Sequence, residues 1–399
     1  MADLTILLEP QQGRSPSGNI FYVLRALMRD ARFDEYKICY AAKKSSMSMF
    51  EDLLSNYEMF ERVELVELNS ERYVHILATA KYLITDTAFP TYYVKRDDQV
   101  VWNTWHGTPL KTLGRSDKGD AYRLGNIQRN LACSSFLSFP NQHTKKCLVE
   151  DYMIQNLGTP EILLAGYPRN TVLFNTESPS KFFEENDLSD KTVYAYMPTW
   201  RYLKDGLPAR MGGIDTLTYL FQIDARLDDD EVMLVSVHPL AKGRIDFKYF
   251  DHILPFPADW ETYDVLRKCD LLITDYSSVM FDFALTKKKI VLFSYDKFQY
   301  LTERGMYFPY EDLPFPQVES VTELLAEIRA PKKYDDAKFV TQFCPFETPD
   351  ATQNLINTVF FDAKGNIERS ILETDGKKCC DLCRQSCSKW NYDIFKKSL

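Results

Sequence analysis

The sequence predicts an α/β protein with two doubly wound domains that face each other across a cleft. Short apolar runs, typical of buried parallel strands, alternate with segments of helical periodicity in the first half of the chain, and the same rhythm repeats in the second half. Several polar motifs directly follow these runs, where ligands bind in doubly wound sheets. The length of 399 residues also exceeds one typical core and suits two domains.

In the first half, the predicted helices cover 20–28 and 46–54, and the predicted strands cover 4–8, 38–41, 63–68, 82–85 and 100–105. In the second half, the apolar runs predict strands at 193–197, 232–237, 271–274 and 290–293. After about residue 335 the pattern indicates loops and helices without a further strand. We therefore predict an acceptor-side domain at 1–175, a donor-binding domain at 176–335, and a C-terminal part at 336–399.

The composition of the chain argues against some classes of function. The chain is 45% hydrophobic and 26% charged, as in ordinary globular proteins, and its net charge of −9 argues against a general nucleic-acid binder. No apolar run approaches the ~20 residues that span a bilayer, and the N-terminus lacks the pattern of a signal peptide. We expect a cytoplasmic protein, for which peripheral membrane contact stays open.

Four of the nine cysteines lie close together near the C-terminus. Cys380 and Cys383 have the spacing of a metal half-site, and Cys387 could supply a third ligand. An amphipathic, membrane-facing tail that includes Trp390 explains the same segment equally well. Both readings stay open.

The segment Thr274–Asp282 is the first candidate for binding chemistry. It follows an apolar strand and opens a helix, so the hydroxyls and N–H groups of Ser277 and Ser278 can hold a phosphate. The same serines suit a structural role as helix caps. Asp275 can anchor the loop, and Asp282 suits a ribose hydroxyl or a bond that organises the helix.

His106 is the candidate general base. It follows the predicted strand 100–105 and lies in a loop shaped by Gly107 and Pro109. A neutral imidazole there could remove a proton from an attacking hydroxyl, and a turn-capping structural histidine is the alternative. We assign Gly107, Thr108, Lys111 and the more distant Arg14 to the acceptor side of the cleft, and a simple helix-capping turn is the alternative for the segment of Arg14.

Three further residues are predicted to hold the phosphates of a donor. His238 follows the predicted strand 232–237 and could protonate a leaving oxygen, and Lys242 could neutralise charge nearby. Arg201 could bind a phosphate through two hydrogen bonds. The structural alternative for Lys242 is a solvated basic turn, and the structural alternative for Arg201 is a surface salt bridge.

These motifs together resemble the CDP-glycerol glycerophosphotransferase family of teichoic-acid and capsule synthesis. The matching pieces occur in the family's order at Trp105–Gly114, Gly166–Asn170, Pro198–Arg201, His238–Pro239 and Thr274–Asp282. The resemblance implies a GT-B fold, with two Rossmann-like domains and a C-terminal helix that crosses back. It also implies His106 as the base, and His238, Arg201, Ser277 and Ser278 as ligands of the donor diphosphate.

By this resemblance, the protein is expected to move glycerol phosphate or ribitol phosphate from a CDP-polyol to a lipid-linked saccharide or growing polymer, releasing CMP. The CDP-polyol is a substrate, no cofactor is required, and the expected location is the cytoplasmic face of the membrane. The alternatives are a GT-B glycosyltransferase that uses a nucleotide sugar and a non-catalytic scaffold of polymer assembly.

Overall fold

A computed structural model describes residues 4–117, 124–175, 180–199, 216–236, 245–363 and 367–372. These residues form two parallel sheets with helices packed on their faces. The predicted class, an α/β protein with two doubly wound domains, is confirmed.

The first sheet has the strand order β14-β7-β6-β5-β4-β1-β2-β3. All neighbours pair in parallel except β14 and β7, which are antiparallel. The strand order reverses between β1 and β4, so the crevice for a ligand opens at the carboxyl ends of these two strands. Its strands are β1 Thr5–Glu9, β2 Lys37–Ala42, β3 Glu64–Glu67, β4 Tyr82–Thr85, β5 Val100–Asn103, β6 Phe136–Phe139, β7 Glu161–Leu164 and β14 Glu368–Ile371.

The second sheet is entirely parallel and has the order β10-β9-β8-β11-β12-β13. This is the order of a dinucleotide-binding Rossmann sheet, with its reversal between β8 and β11. Its strands are β8 Thr192–Met197, β9 Glu231–Val235, β10 Ile253–Pro255, β11 Leu271–Thr274, β12 Lys289–Phe293 and β13 Gln317–Val318.

The helices cover the faces of both sheets. Buried side chains of β1 such as Ile6 and Leu8 pack with Leu27, while Val193 and Leu272 anchor the core of the second domain. The helices are α1 Asn19–Met28, α2 Met47–Asn56, α3 Glu71–Thr79, α4 Leu124–Cys133, α5 Gln142–Asp151, α6 Lys181–Glu185, α7 Thr216–Asp224, α8 Thr262–Leu266, α9 Val279–Phe283, α10 Lys297–Glu303, α11 Val321–Arg329, α12 Ala337–Phe343 and α13 Ala351–Phe361.

The chain returns to the first domain after the second sheet is complete. Leu355, Ile356 and Val359 of α13 are buried in the core of the first domain, and β14 then extends its sheet. The prediction of no strand after residue 335 is therefore wrong. The short edge strand Glu368–Ile371 has two exposed and two half-buried residues, so its sequence shows no apolar run.

No helix among the described residues is long and apolar enough to cross a membrane.

Candidate active site

The site forms where the carboxyl ends of the two sheets face each other. His106 follows β5 in the first domain, and Ser277 and Ser278 follow β11 in the second. A Cβ atom built on Gly107 would lie 2.7 Å from Ser278 Oγ, so the two predicted motifs meet in direct contact. Only a glycine permits this close approach without displacing the serine.

The surroundings of His106 fix its tautomer. Its Nδ1 lies 2.7 Å from the backbone carbonyl oxygen of Asp86, which can only accept a hydrogen bond. Nδ1 therefore carries the proton, and Nε2 keeps the lone pair that a base needs. The ring stacks on Trp105 with centroids 4.4 Å apart, which restrains its orientation.

His106 is neutral near pH 7. The surrounding protein desolvates the ring and lowers the pKa of His106 to about 4, and the positive charges of Arg169 and Arg14 act in the same direction. The hydrogen bond between His106 and the backbone of Asp86 raises the pKa of His106 and partly offsets this shift. The neutral form is the one that can accept a proton.

The backbone before His106 is strained. Trp105 has φ of +53°, a conformation that is rare for a bulky side chain. Its carbonyl accepts hydrogen bonds from Asn19 Nδ2 and Thr104 Oγ1 at 2.9 and 3.0 Å, and its N–H donates to Asn103 Oδ1 at 2.9 Å. Three neighbours thus hold a conformation that turns His106 toward the cleft, as is common at active sites.

Arg169 connects the His106 loop to the second domain. Its Nη1 donates to the carbonyl of His106 at 2.9 Å, and its Nη2 donates to Asp282 Oδ2 at 2.6 Å. The guanidinium lies between the rings of Tyr167 and Tyr263, at 4.8 and 4.9 Å from their centroids. Because this ion pair is buried, it ties the position of the catalytic loop to the second domain.

Known proteins resemble this chain in sequence and in fold. A family described as CDP-glycerol:poly(glycerophosphate) glycerophosphotransferase matches residues 1–361. The chain belongs to this family.

Individual teichoic acid enzymes are also similar to this chain. A teichoic acid glycerol-phosphate transferase of Staphylococcus aureus is 30% identical over 80% of this chain and 87% of its own length. A teichoic acid poly(glycerol phosphate) polymerase of Staphylococcus epidermidis is also 30% identical, over 75% of this chain, which spans only 44% of that polymerase. The wall teichoic acid polymerase TagF has a similar structure, with a TM-score of 0.74 and 25% identity over 90% of this chain and 89% of the TagF chain.

The GT-B fold expected for a glycerophosphotransferase is confirmed. Several residues that we predicted to contact a ligand form hydrogen bonds within the protein. Asp282 is buried, and its oxygens accept hydrogen bonds from Arg169, Asn170 and Tyr263 at 2.6, 3.0 and 2.7 Å. These bonds support the alternative that Asp282 organises the start of the helix, and its contact with the donor stays a prediction.

Three more of these residues form hydrogen bonds within the protein. Thr274 Oγ1 donates to the carbonyl of Met197 at 2.7 Å, and Asp275 accepts from the N–H of Thr199 at 2.8 Å. On the acceptor side, the Thr108 hydroxyl accepts from Asn141 at 3.1 Å. All three side chains are buried and hold the loops in place, as we proposed for Asp275, and their assignment as ligand contacts stays a prediction.

Ser277 and Ser278 remain available at the cleft, where both are partly exposed. Ser278 is the N-cap residue of α9 without a side-chain capping bond, whereas the Ser277 hydroxyl accepts a long hydrogen bond from the N–H of Val279 at 3.5 Å. The capping alternative therefore holds in part for Ser277 and not for Ser278. The helix has only five residues, so the helix macrodipole that we invoked from the sequence is small. An anion at this loop could accept hydrogen bonds from the serine hydroxyls and from the local backbone N–H groups.

The remaining acceptor-side residues surround His106. Arg14 is exposed and close enough to His106 for its charge to lower the pKa of the imidazole. Gly107 is buried and donates its N–H to Tyr167 Oη at 3.1 Å. Lys111 pairs with Met306 of the second domain through a β-bridge, so it helps to fasten the loop across the cleft.

The predicted donor ligands Arg201, His238 and Lys242 lie outside the described residues, and so do Cys380, Cys383 and Cys387. These assignments stay predictions. Within the described ranges, no three His, Cys, Asp or Glu side chains gather as a metal site.

Two functional residues were missed from the sequence. Asp86 follows β4 and could have been found by the strand-end rule that identified His106. Arg169 belongs to the segment Gly166–Asn170, which matched the family resemblance but received no role in the predicted site. No local pattern shows that its side chain reaches both His106 and Asp282, which lie 63 and 113 residues away in sequence.

Proposed function

We propose that this protein transfers a polyol phosphate from a CDP-polyol to a hydroxyl of a lipid-linked saccharide or a growing polymer. The observation that carries the proposal is the contact between the His106 loop and Ser278. It brings a neutral base of defined tautomer and an anion-binding loop to one point between two Rossmann-like sheets.

The proposed reaction forms one bond and breaks one. The acceptor oxygen attacks the β-phosphoryl group while its proton moves to His106 Nε2. The bond between the β-phosphorus and the bridging oxygen breaks, and CMP leaves with the electron pair. Ser277 and Ser278, together with the predicted ligands Arg201, His238 and Lys242, would stabilise charge on the diphosphate. No cofactor enters this scheme.

Glycerol phosphate is the first group to test. The two relatives at 30% identity are named for glycerol phosphate, and a ribitol-phosphate polymerase of Bacillus spizizenii is 27% identical. An acceptor linked to lipid would place the enzyme at the cytoplasmic face of the membrane, which is part of the proposal.

The test is release of CMP from CDP-glycerol and from CDP-ribitol, each with and without a lipid-linked disaccharide acceptor. We expect release that depends on the acceptor with one of the two donors. Release of nucleotide only from nucleotide sugars would instead establish the alternative glycosyltransferase, and no release with any donor would favour a scaffold.

The His106→Ala variant tests the role of the base. Loss of a general base typically lowers the rate about 10²–10⁴-fold, while donor binding, measured by calorimetry, should change little. His75 is exposed on α3 and provides the control, because His75→Ala should keep full activity. Retention of more than about a tenth of the rate in His106→Ala would refute the assignment.

A further inference from the structure

A basic groove runs along α5 of the first domain, beside the edge strand β14. Its cavity volume is about 700 Å³. Arg115, Lys145 and Lys146 line it, and Glu150 is the single carboxylate among its described lining residues. The groove therefore has an excess of positive charge in a protein whose net charge is −9.

The two lysines of this basic groove have no ion-pair partner among the described residues, and its arginine has a distant one. Within the described part of the chain, Lys145 and Lys146 have no carboxylate within ion-pair distance, and Arg115 lies 3.8 Å from Asp151 Oδ1. That oxygen already accepts a hydrogen bond from Ser116 Oγ at 2.5 Å. Cations without a counterion attract a polyanion more strongly than paired ones do.

Helix α5, which lines the basic groove, contacts the loop that carries His106. β5 and β6 are neighbours, so the His106 loop and the start of α5 leave the same edge of the sheet. His143 of α5 lies 2.8 Å from the carbonyl of Pro109, and Gly114 packs so closely on Asp151 that a Cβ would lie 2.3 Å from its carbonyl oxygen. One end of the groove, at Gln142, thus adjoins the loop that carries His106.

We propose that the basic groove holds the phosphodiester chain of the growing acceptor while its terminal hydroxyl lies at His106. This inference rests on the proposed function and names the part of the acceptor that the enzyme binds. Regularly spaced phosphates would contact Arg115, Lys145 and Lys146, and the methylene groups between them would contact Val149 and Met153. A concave groove accommodates a single chain, whereas a flat bilayer surface fits it poorly.

The experiment measures binding without donor, so that it does not depend on turnover. An end-labelled poly(glycerol phosphate) oligomer is titrated with enzyme by fluorescence anisotropy at two salt concentrations. The variant Lys145→Gln/Lys146→Gln should weaken binding about tenfold and reduce the salt dependence by roughly one or two released ions. Arg115→Gln changes another wall of the groove and should weaken binding in the same direction.

The control is Lys333→Gln/Lys338→Gln, which removes the same charge from two exposed positions near the start of α12. The proposal is overturned if the groove variants bind the oligomer as tightly as the wild type, or if the control loses as much affinity. It is also overturned if the groove variants lose only binding to phosphatidylglycerol vesicles, since the groove would then contact a membrane. CMP release is measured in a separate experiment. Failure of the proposed function can therefore be distinguished from failure of the groove proposal.

Discussion

The backbone carbonyl of Asp86 determines which nitrogen of His106 can act as a base. That carbonyl accepts the Nδ1 proton, so Nε2 is available to the acceptor hydroxyl. With a pKa of about 4, the free enzyme holds a base that is almost fully neutral but weak. A bound diphosphate would bring negative charge near the ring and favour the imidazolium, which strengthens the base when the donor is present.

This argument predicts the pH dependence of the rate. The neutral imidazole is the active form, so activity should fall as the pH drops through the pKa of His106. The pH dependence of kcat/KM for the donor reports the free enzyme, and that of kcat reports the donor complex. We therefore expect the fall in activity at acid pH to occur at higher pH for kcat than for kcat/KM. Arg14→Gln removes a charge that lowers the pKa of His106 and should move the kcat/KM limb to higher pH. A limb that moves to lower pH would contradict the assignment.

Residue types alone could not separate contacts to a ligand from contacts within the protein. Asp282 and Ser278 lie in one motif, yet the first is enclosed by three donors and the second faces the cleft. The partners of Asp282 come from segments 19 to 113 residues away in sequence. The meeting of the two motifs was therefore predictable, but the separation of exposed side chains from buried, internally bonded ones required the tertiary structure.

At the scale of elements, continuous apolar runs made strands predictable. The predicted bounds of β4 and β11 are those observed. β6 was missed because Ser138 interrupts its apolar run, although this hydroxyl is buried and accepts a hydrogen bond from Trp102 Nε1 at 2.9 Å. β10 was missed for another reason: as an edge strand it leaves Leu254 and Pro255 exposed.

The contact between two loops gives a prediction at this scale. In Gly107→Ala the new methyl group would lie 2.7 Å from Ser278 Oγ and 3.4 Å from Ser278 Cβ. The hydroxyl can rotate away, so we expect a loss of stability below about 1 kcal/mol. Displacing Ser278 from the cleft should nevertheless lower kcat/KM about 10–100-fold.

Gly125→Ala is the matched control for this variant, because nothing lies within 4 Å of its added methyl group. In helix α4 the alanine should raise stability by about 0.5–1 kcal/mol and leave the rate unchanged. Thermal unfolding and CMP release measured on both variants separate the two effects. Equal activity of Gly107→Ala and wild type would show that the loops need not touch during catalysis.

At the scale of the whole molecule, the buried pair of Arg169 and Asp282 joins the two domains. Asp282 belongs to α9 of the second domain, and Arg169 in turn donates to the carbonyl of His106 in the first. The side chains are only 8% and 3% exposed, so neither charge can be solvated if its partner is removed. Breaking such a pair costs more than the intact pair contributes.

We therefore expect Asp282→Asn to lose about 3–5 kcal/mol of unfolding free energy, since it leaves the Arg169 charge buried without a counterion. The exposed pair of Arg62 and Asp34 provides the control, and Asp34→Asn should cost less than about 1 kcal/mol. Urea denaturation measures both. In a double-mutant cycle, Arg169→Met combined with Asp282→Asn should cost clearly less than the sum of the single variants, because the uncompensated charges disappear together. Additive costs would show that the two side chains do not act as a pair. The position of the His106 loop would then depend on the other contacts across the cleft, such as the bridge between Lys111 and Met306.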